Sequence, residues 1–146
     1  RKTTPGLRSF EKYAVSCGGG KNHRFGLYDA ILIKDNHIKA SGGIIHAVNK
    51  VKESHNNSIQ IEVETTTIAE VREAIEAKSD IIMLDNMSIE NIKKAVHIID
   101  GRARTEVSGS ISIDQLSMLS KVNIDYISIG ALTHSPKASD ISMNFL

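Results

Sequence analysis

Ile59-Gln-Ile-Glu-Val-Glu-Thr-Thr-Thr-Ile-Ala-Glu-Val-Arg-Glu-Ala-Ile-Glu-Ala-Lys-Ser-Asp-Ile-Ile-Met-Leu-Asp85 is the stretch whose reading decides the fold. Its start, residues 59–63, is short, β-branched and bounded by polar residues, as a buried strand should be. Ile68, Val71 and Ile75 then recur at spacings of three and four, which a strand cannot use. Thr67-Ile-Ala-Glu70 marks the helix start independently, as a capping box in which hydroxyl and carboxylate each accept an early backbone N–H. Residues 81–84 return to strand character, so the stretch is one β-α-β unit.

The same alternation extends in both directions. Residues 30–33, 104–107 and 126–129 read as further strands, and Ile44/Val48/Val51, Ile89/Ile92/Val96/Ile99 and Leu116/Leu119 as helix faces. Ser112-Ile-Asp-Gln115 gives a second capping box. Upstream, Leu7, Phe10, Ala14 and Cys17 form a helical stripe that ends at Gly18-Gly19-Gly20, and Cys17 on that stripe reads as a small buried hydrophobe. The order is one helix and then about five β-α repeats, which implies parallel strands in a doubly wound sheet or a (β/α) barrel.

The strand ends favour the barrel. Lys34, Glu64, Asp85, Ser108-Gly109-Ser110 and Gly130 each follow a strand, and in a (β/α) barrel such ends surround a single pocket. Taken singly, Asp85 could be a turn former, Lys34 a surface charge and the glycines ordinary turns; the joint pattern argues otherwise. Glu62 and Glu64 alternate in one strand and share a face. Ser108-Gly109, followed by the Ser112 cap, and Gly130-Ala131 offer backbone N–H groups of the kind that hold a phosphate. Arg1, Lys2 and Asn22-His23-Arg24 bracket the first helix and suit a small polyanion, or else form a solvated basic loop.

Composition sets the outer bounds. The chain has 146 residues, 40% hydrophobic and 24% charged, with a net charge of +1, which excludes a disordered tail and argues against a generic nucleic-acid binder. No apolar run reaches the roughly 18 residues that a membrane helix needs. The single cysteine fits a reducing, cytoplasmic setting. His46, His55 and His97 show no metal-ligand spacing. The opening Arg-Lys-Thr-Thr-Pro carries neither Met nor a signal core and reads as a piece of something longer.

The motifs Arg1-Lys-Thr-Thr-Pro-Gly-Leu-Arg8, Glu11-Lys-Tyr-Ala14, Gly18-Gly-Gly-Lys-Asn-His-Arg24, Leu32-Ile-Lys-Asp-Asn-His37, Leu84-Asp-Asn-Met87, Ser108-Gly109 and Gly130-Ala-Leu-Thr-His-Ser135 resemble quinolinate phosphoribosyltransferase over the whole chain. The resemblance implies a TIM-like (β/α) barrel, incomplete here, with residues 1–146 as the carboxy-terminal domain and the amino-terminal domain and first barrel strand absent. A full barrel of this type needs about 250 residues, so an open sheet edge is expected.

The implied reaction joins quinolinate to the phosphoribosyl group of phosphoribosyl pyrophosphate with loss of pyrophosphate and CO2, giving nicotinate mononucleotide for NAD synthesis. By motif, Arg1, His23 and Arg24 hold the quinolinate carboxylates with Lys34 close by, and Lys2 faces the pyrophosphate. Glu64 and Asp85 lie near the ribose hydroxyls and Mg²⁺, directly or through water, while Ser108, Gly109, Ser110 and Gly130 cradle the 5′-phosphate. Lys2, Lys34, Glu64 and Asp85 are the implied catalytic set. The family usually carries Gly-Gly after the serine of the phosphate loop, whereas this chain has Gly109-Ser110. A homodimer is implied as well, with neither nucleic acid nor membrane as a partner. The competing readings are a phosphoribosyltransferase for another acidic base, a barrel aldolase using Lys34 as a Schiff base, and a truncated barrel that only binds ligand.

Overall fold

The computed structural model describes residues 2–55 and 59–145. The chain divides into two compact units, one formed by Arg1–His23 with Gly130–Leu146 and the other by Arg24–Ile129. In the first lie α1 (Arg8–Cys17) and α7 (Ala131–His134). The second runs β1 (Ile31–Ile33), α2 (Asp35–Ser41), α3 (Ile44–His55), β2 (Ile61–Thr65), α4 (Ile68–Glu76), β3 (Ile81–Asp85), α5 (Ile89–Ile99), β4 (Arg104–Ser108), α6 (Ile113–Leu119) and β5 (Tyr126–Ile127).

The five strands are all parallel and stand in the order β1-β2-β3-β4-β5, the arrangement of a partial TIM-like barrel. Register and alternation sort their side chains into two faces. Ile33 pairs with Val63, Val63 with Ile82 and Leu84 with Val107, and these join Val48, Val71, Ala74, Ile92, Ala95 and Ile99 of the helices in one core cluster. Burial of side chains of this size contributes about 1.5–3 kcal/mol each relative to leaving them exposed. On the other face, Glu62 pairs with Ile81, Glu64 with Met83, Met83 with Glu106 and Asp85 with Ser108. A parallel sheet covered by helices on both sides would be apolar throughout; here one face carries charge, as the inside of a barrel that works on a polar ligand should.

Both expected capping boxes form. Thr67 Oγ1 accepts from Glu70 N at 3.2 Å while Glu70 Oε2 accepts from Thr67 N at 3.0 Å. Ser112 and Gln115 exchange the same bonds at 3.3 and 2.8 Å. Strand β2 lies two residues later than the apolar run suggests, because Glu64 and Thr65 continue the ladder and buried Thr65 Oγ1 donates to Met83 O at 2.9 Å. Helix α2, which the sequence pattern did not show, has seven residues and buries none of them. It therefore leaves no apolar stripe to read.

The reading of α1 needs correction. Phe10 and Cys17 are exposed, and Leu7 is 47% exposed; the buried residue of the helix is Lys12. Lys12 can be buried because its Nζ donates to the His23 carbonyl at 2.7 Å, while Asn22 Nδ2 donates to the Lys12 carbonyl at 2.9 Å. The glycine run does end the helix, with the left-handed residue at Gly19 (φ +80°) and Gly20 N donating back to Val15 O at 2.9 Å.

Candidate active site

At the carboxyl ends of β1–β4 the second unit gathers most of the expected residues. Lys34 follows β1, and its Nζ is paired with Glu64 Oε2 across the neighbouring strand. The Glu64 side chain is only 16% exposed against 46% for Lys34, so the ammonium supplies the counter-charge that a shielded carboxylate requires. The backbone N–H of Lys34 donates to His37 Nδ1 at 3.0 Å. That is the returning half of a capping box; the lysine ammonium, which has no acceptor, cannot provide the other half.

Asp85 ends β3, and its Oδ2 accepts from Asn86 Nδ2 at 2.7 Å. Asn86 N donates to Ser108 O at 3.0 Å, which ties the loop after β3 to the end of β4. Asn86 (φ 52°), Gly109 (φ 101°) and Ser110 (φ 44°) all take the left-handed backbone region. Of these, Asn86 and Ser110 carry a Cβ into that region, at a cost of about 1–2 kcal/mol each. At Ser110 the Cβ sits in this region at a cost that glycine would avoid.

Arg24 precedes β1. Its Nη1 donates to the Ala30 carbonyl at 3.1 Å, at the entry of β1, where Asp29 also folds the loop by accepting from Phe25 N and Gly26 N. In the first unit, Lys2 is exposed, and Thr4 N donates to both oxygens of Glu11 at 3.0 and 3.2 Å, which anchors the segment to α1. The His23 carbonyl is taken by Lys12. Gly130 precedes α7, and its carbonyl accepts from His134 N at 3.1 Å. A Cβ there would lie 2.9 Å from His134 Nε2, so the imidazole packs directly on the glycine. Arg1 lies outside the described residues.

Glu106 on this polar face, Arg104 at the amino end of β4 and Asn86 in the loop after β3 escaped the sequence reading. Glu106 is buried and accepts from Ser128 Oγ. Arg104 Nη1 donates to Tyr126 OH at 3.0 Å, with the guanidinium 5.9 Å from the ring centroid. Both follow from counting back by two from Ser108, the step that placed Glu62 beside Glu64. Asn86 stands in the Leu84-Asp-Asn-Met87 motif but drew no role, because an Asn after a strand most often only turns the chain.

Known proteins resemble the chain in sequence and in fold. The family model "Quinolinate phosphoribosyl transferase, C-terminal domain" matches residues 1–144. A Bacillus subtilis (strain 168) protein named "Probable nicotinate-nucleotide pyrophosphorylase (carboxylating)" is 49% identical over 144 residues, covering 99% of this chain and 50% of that protein. "Quinolinate phosphoribosyltransferase (decarboxylating) 2a, mitochondrial" from Nicotiana tabacum is 47% identical over 161 residues, covering 98% of this chain and 46% of the relative. The crystal structure of NadC from Streptococcus pyogenes superposes with a TM-score of 0.94 at 50% identity, over 99% of this chain and 51% of that one. The chain thus spans about half the length of the curated relatives it matches. With the family model running nearly end to end and close relatives in sequence and in fold, the chain belongs to the quinolinate phosphoribosyltransferase family, in the part described as its C-terminal domain.

Proposed function

We propose that residues 1–146 form the carboxy-terminal barrel domain of an enzyme that transfers phosphoribosyl from phosphoribosyl pyrophosphate to quinolinate. Pyrophosphate and CO2 are released and nicotinate mononucleotide is formed for NAD synthesis. The observation that carries the reading is the row of strand ends in which the Lys34–Glu64 pair stands one strand from Asp85, itself in register with Ser108.

The quinolinate nitrogen attacks the anomeric carbon as the bond to pyrophosphate breaks with its electron pair. Positive charge grows on the ribose ring, so the Glu64 and Asp85 carboxylates interact more strongly with the transition state than with the ground state. The backbone N–H groups of the Ser108–Ser110 turn, where Gly109 and Ser110 lie in left-handed backbone, are proposed to hold the 5′-phosphate. The pyridinium then loses CO2, and the electron pair left on the ring carbon takes a proton. Lys34 is the proposed cation beside that ring position, with Glu64 holding its Nζ. Arg1, His23 and Arg24 are proposed for the quinolinate carboxylates, Lys2 for the pyrophosphate and Gly130 for the phosphate.

The donor set fits Mg²⁺, which takes one or two carboxylates together with phosphate oxygens and water. Asp85 Oδ2 is engaged by Asn86, but Oδ1 has no hydrogen bond among the described residues, and Glu64 uses Oε2 alone for Lys34. Mg²⁺ would supply charge neutralisation for the leaving pyrophosphate, held by Asp85 and Glu64. A homodimer and a cytoplasmic setting belong to the same proposal; the tobacco relative's name places that protein in mitochondria.

The test is to incubate the protein with quinolinate, phosphoribosyl pyrophosphate and Mg²⁺ and follow nicotinate mononucleotide. Its formation, with nicotinate failing to replace quinolinate, supports the proposal. Turnover of a monocarboxylate in preference to quinolinate contradicts it.

A further inference from the structure

Asn86 is more than a turn residue in this geometry. A turn needs only its backbone, and the left-handed φ of 52° is one that Asn tolerates better than most side chains. One side-chain hydrogen bond exceeds that need and works beside a backbone bond. The Nδ2 donates to Asp85 Oδ2 at 2.7 Å, fixing the plane of the carboxylate, and the backbone N donates to Ser108 O at 3.0 Å. Gly109 is packed so closely on Asn86 that a Cβ there would stand 2.8 Å from the Asn86 nitrogen and closer still to its side-chain amide. One residue thus touches both the acidic strand end of β3 and the glycine turn after β4.

We propose that Asn86 is a positioning residue that orients the Asp85 carboxylate and holds it in fixed relation to the Ser108–Ser110 turn. The groups facing the ribose and metal and the groups facing the 5′-phosphate are thereby set by one side chain. This rests on the function proposed above for Asp85 and the turn.

The variant that isolates the effect is Asn86→Gly, which keeps the left-handed backbone and the bond to Ser108 O and deletes only the amide. Asn86→Asp is the near-isosteric companion, in which the donor becomes an acceptor facing a carboxylate. Asp85→Ala is the reference.

Three readouts are compared. In the unliganded protein, the backbone amide resonances of Gly109 and Ser110 should shift in Asn86→Gly, and the Asn86 side-chain amide resonances should shift in Asp85→Ala. Phosphoribosyl pyrophosphate affinity by calorimetry with Mg²⁺, and kcat/KM for that substrate, should fall about 10–100-fold in both Asn86 variants, as for other residues that orient a ligand carboxylate. KM for quinolinate should stay within about twofold of the parent, since the lost donor faces the other substrate. Asn86 variants that match the parent in all three readouts while Asp85→Ala is inactive overturn the inference and leave the function standing. A fully active Asp85→Ala overturns the function assigned to Asp85, and the inference with it.

Discussion

Replacing Gly109 by Ala should be costly, and the magnitude can be built from two separate terms. At φ 101° an L-residue takes a conformation that costs about 1–2 kcal/mol. The new Cβ would also stand 2.8 Å from the backbone nitrogen of Asn86, closer than real Cβ contacts come, so the loops after β3 and β4 must part. Forced overpacking of this kind costs about 1–3 kcal/mol. The sum is about 2–5 kcal/mol, and at about 2–4 °C per kcal/mol for a chain of this size it lowers Tm by about 4–20 °C. Thermal unfolding of Gly109→Ala, Asn86→Gly and the double variant gives the measurement. The double variant should recover only part of the loss, because deleting the Asn86 side chain removes the Oδ1 and Cγ contacts and leaves the backbone nitrogen in place. A Gly109→Ala protein within about 1 kcal/mol of the parent, less than the smallest sum of the two terms, would refute the reasoning.

Ser110→Gly should raise stability by up to about 1 kcal/mol by denaturant unfolding, the relief of the left-handed Cβ being partly offset by glycine's greater freedom in the unfolded chain; Ser110→Ala should not reproduce the gain. Lys34→Ala should collapse turnover in the product assay while leaving the fold intact, at a cost of about 1–3 kcal/mol by denaturant unfolding, because the shielded Glu64 carboxylate loses its counter-charge. Cys17 should react completely with a thiol reagent in the native protein, because it is exposed on α1; slow reaction limited by unfolding would restore the buried reading. Thr67→Ala should cost about 1 kcal/mol by the loss of its cap on Glu70 N.

The legible parts of the fold are those in which two independent signals coincide. Helix α4 combines a three-four apolar spacing with Thr67 and Glu70 at its start, and every one of those features is found in place. The strand ends were legible for a similar reason: Lys34, Glu64, Asp85 and Ser108 recur at one position of each β-α unit, and the parallel register then brings them to one edge of the sheet. Helix α2 stayed hidden because it buries no residue, so no periodicity records it. The α1 stripe misled because apolar spacing reports a helix and says nothing of whether a face is covered, while Lys12 is buried through carbonyl partners that composition cannot show. The link from Asn86 to Asp85 and Ser108 depends on dihedral angles at two loops, which no residue type specifies by itself.

The central claim is that the carboxyl ends of β1–β4 bind the reacting groups. A crystal structure of the protein soaked with nicotinate mononucleotide tests it most directly. The account predicts the 5′-phosphate within hydrogen-bond reach of the Gly109 and Ser110 backbone N–H groups, the ribose hydroxyls beside Asp85 and Glu64, and the pyridine ring toward Lys34. A product bound at the opposite end of the sheet, or a phosphate that leaves the Ser108–Ser110 turn untouched, would contradict it.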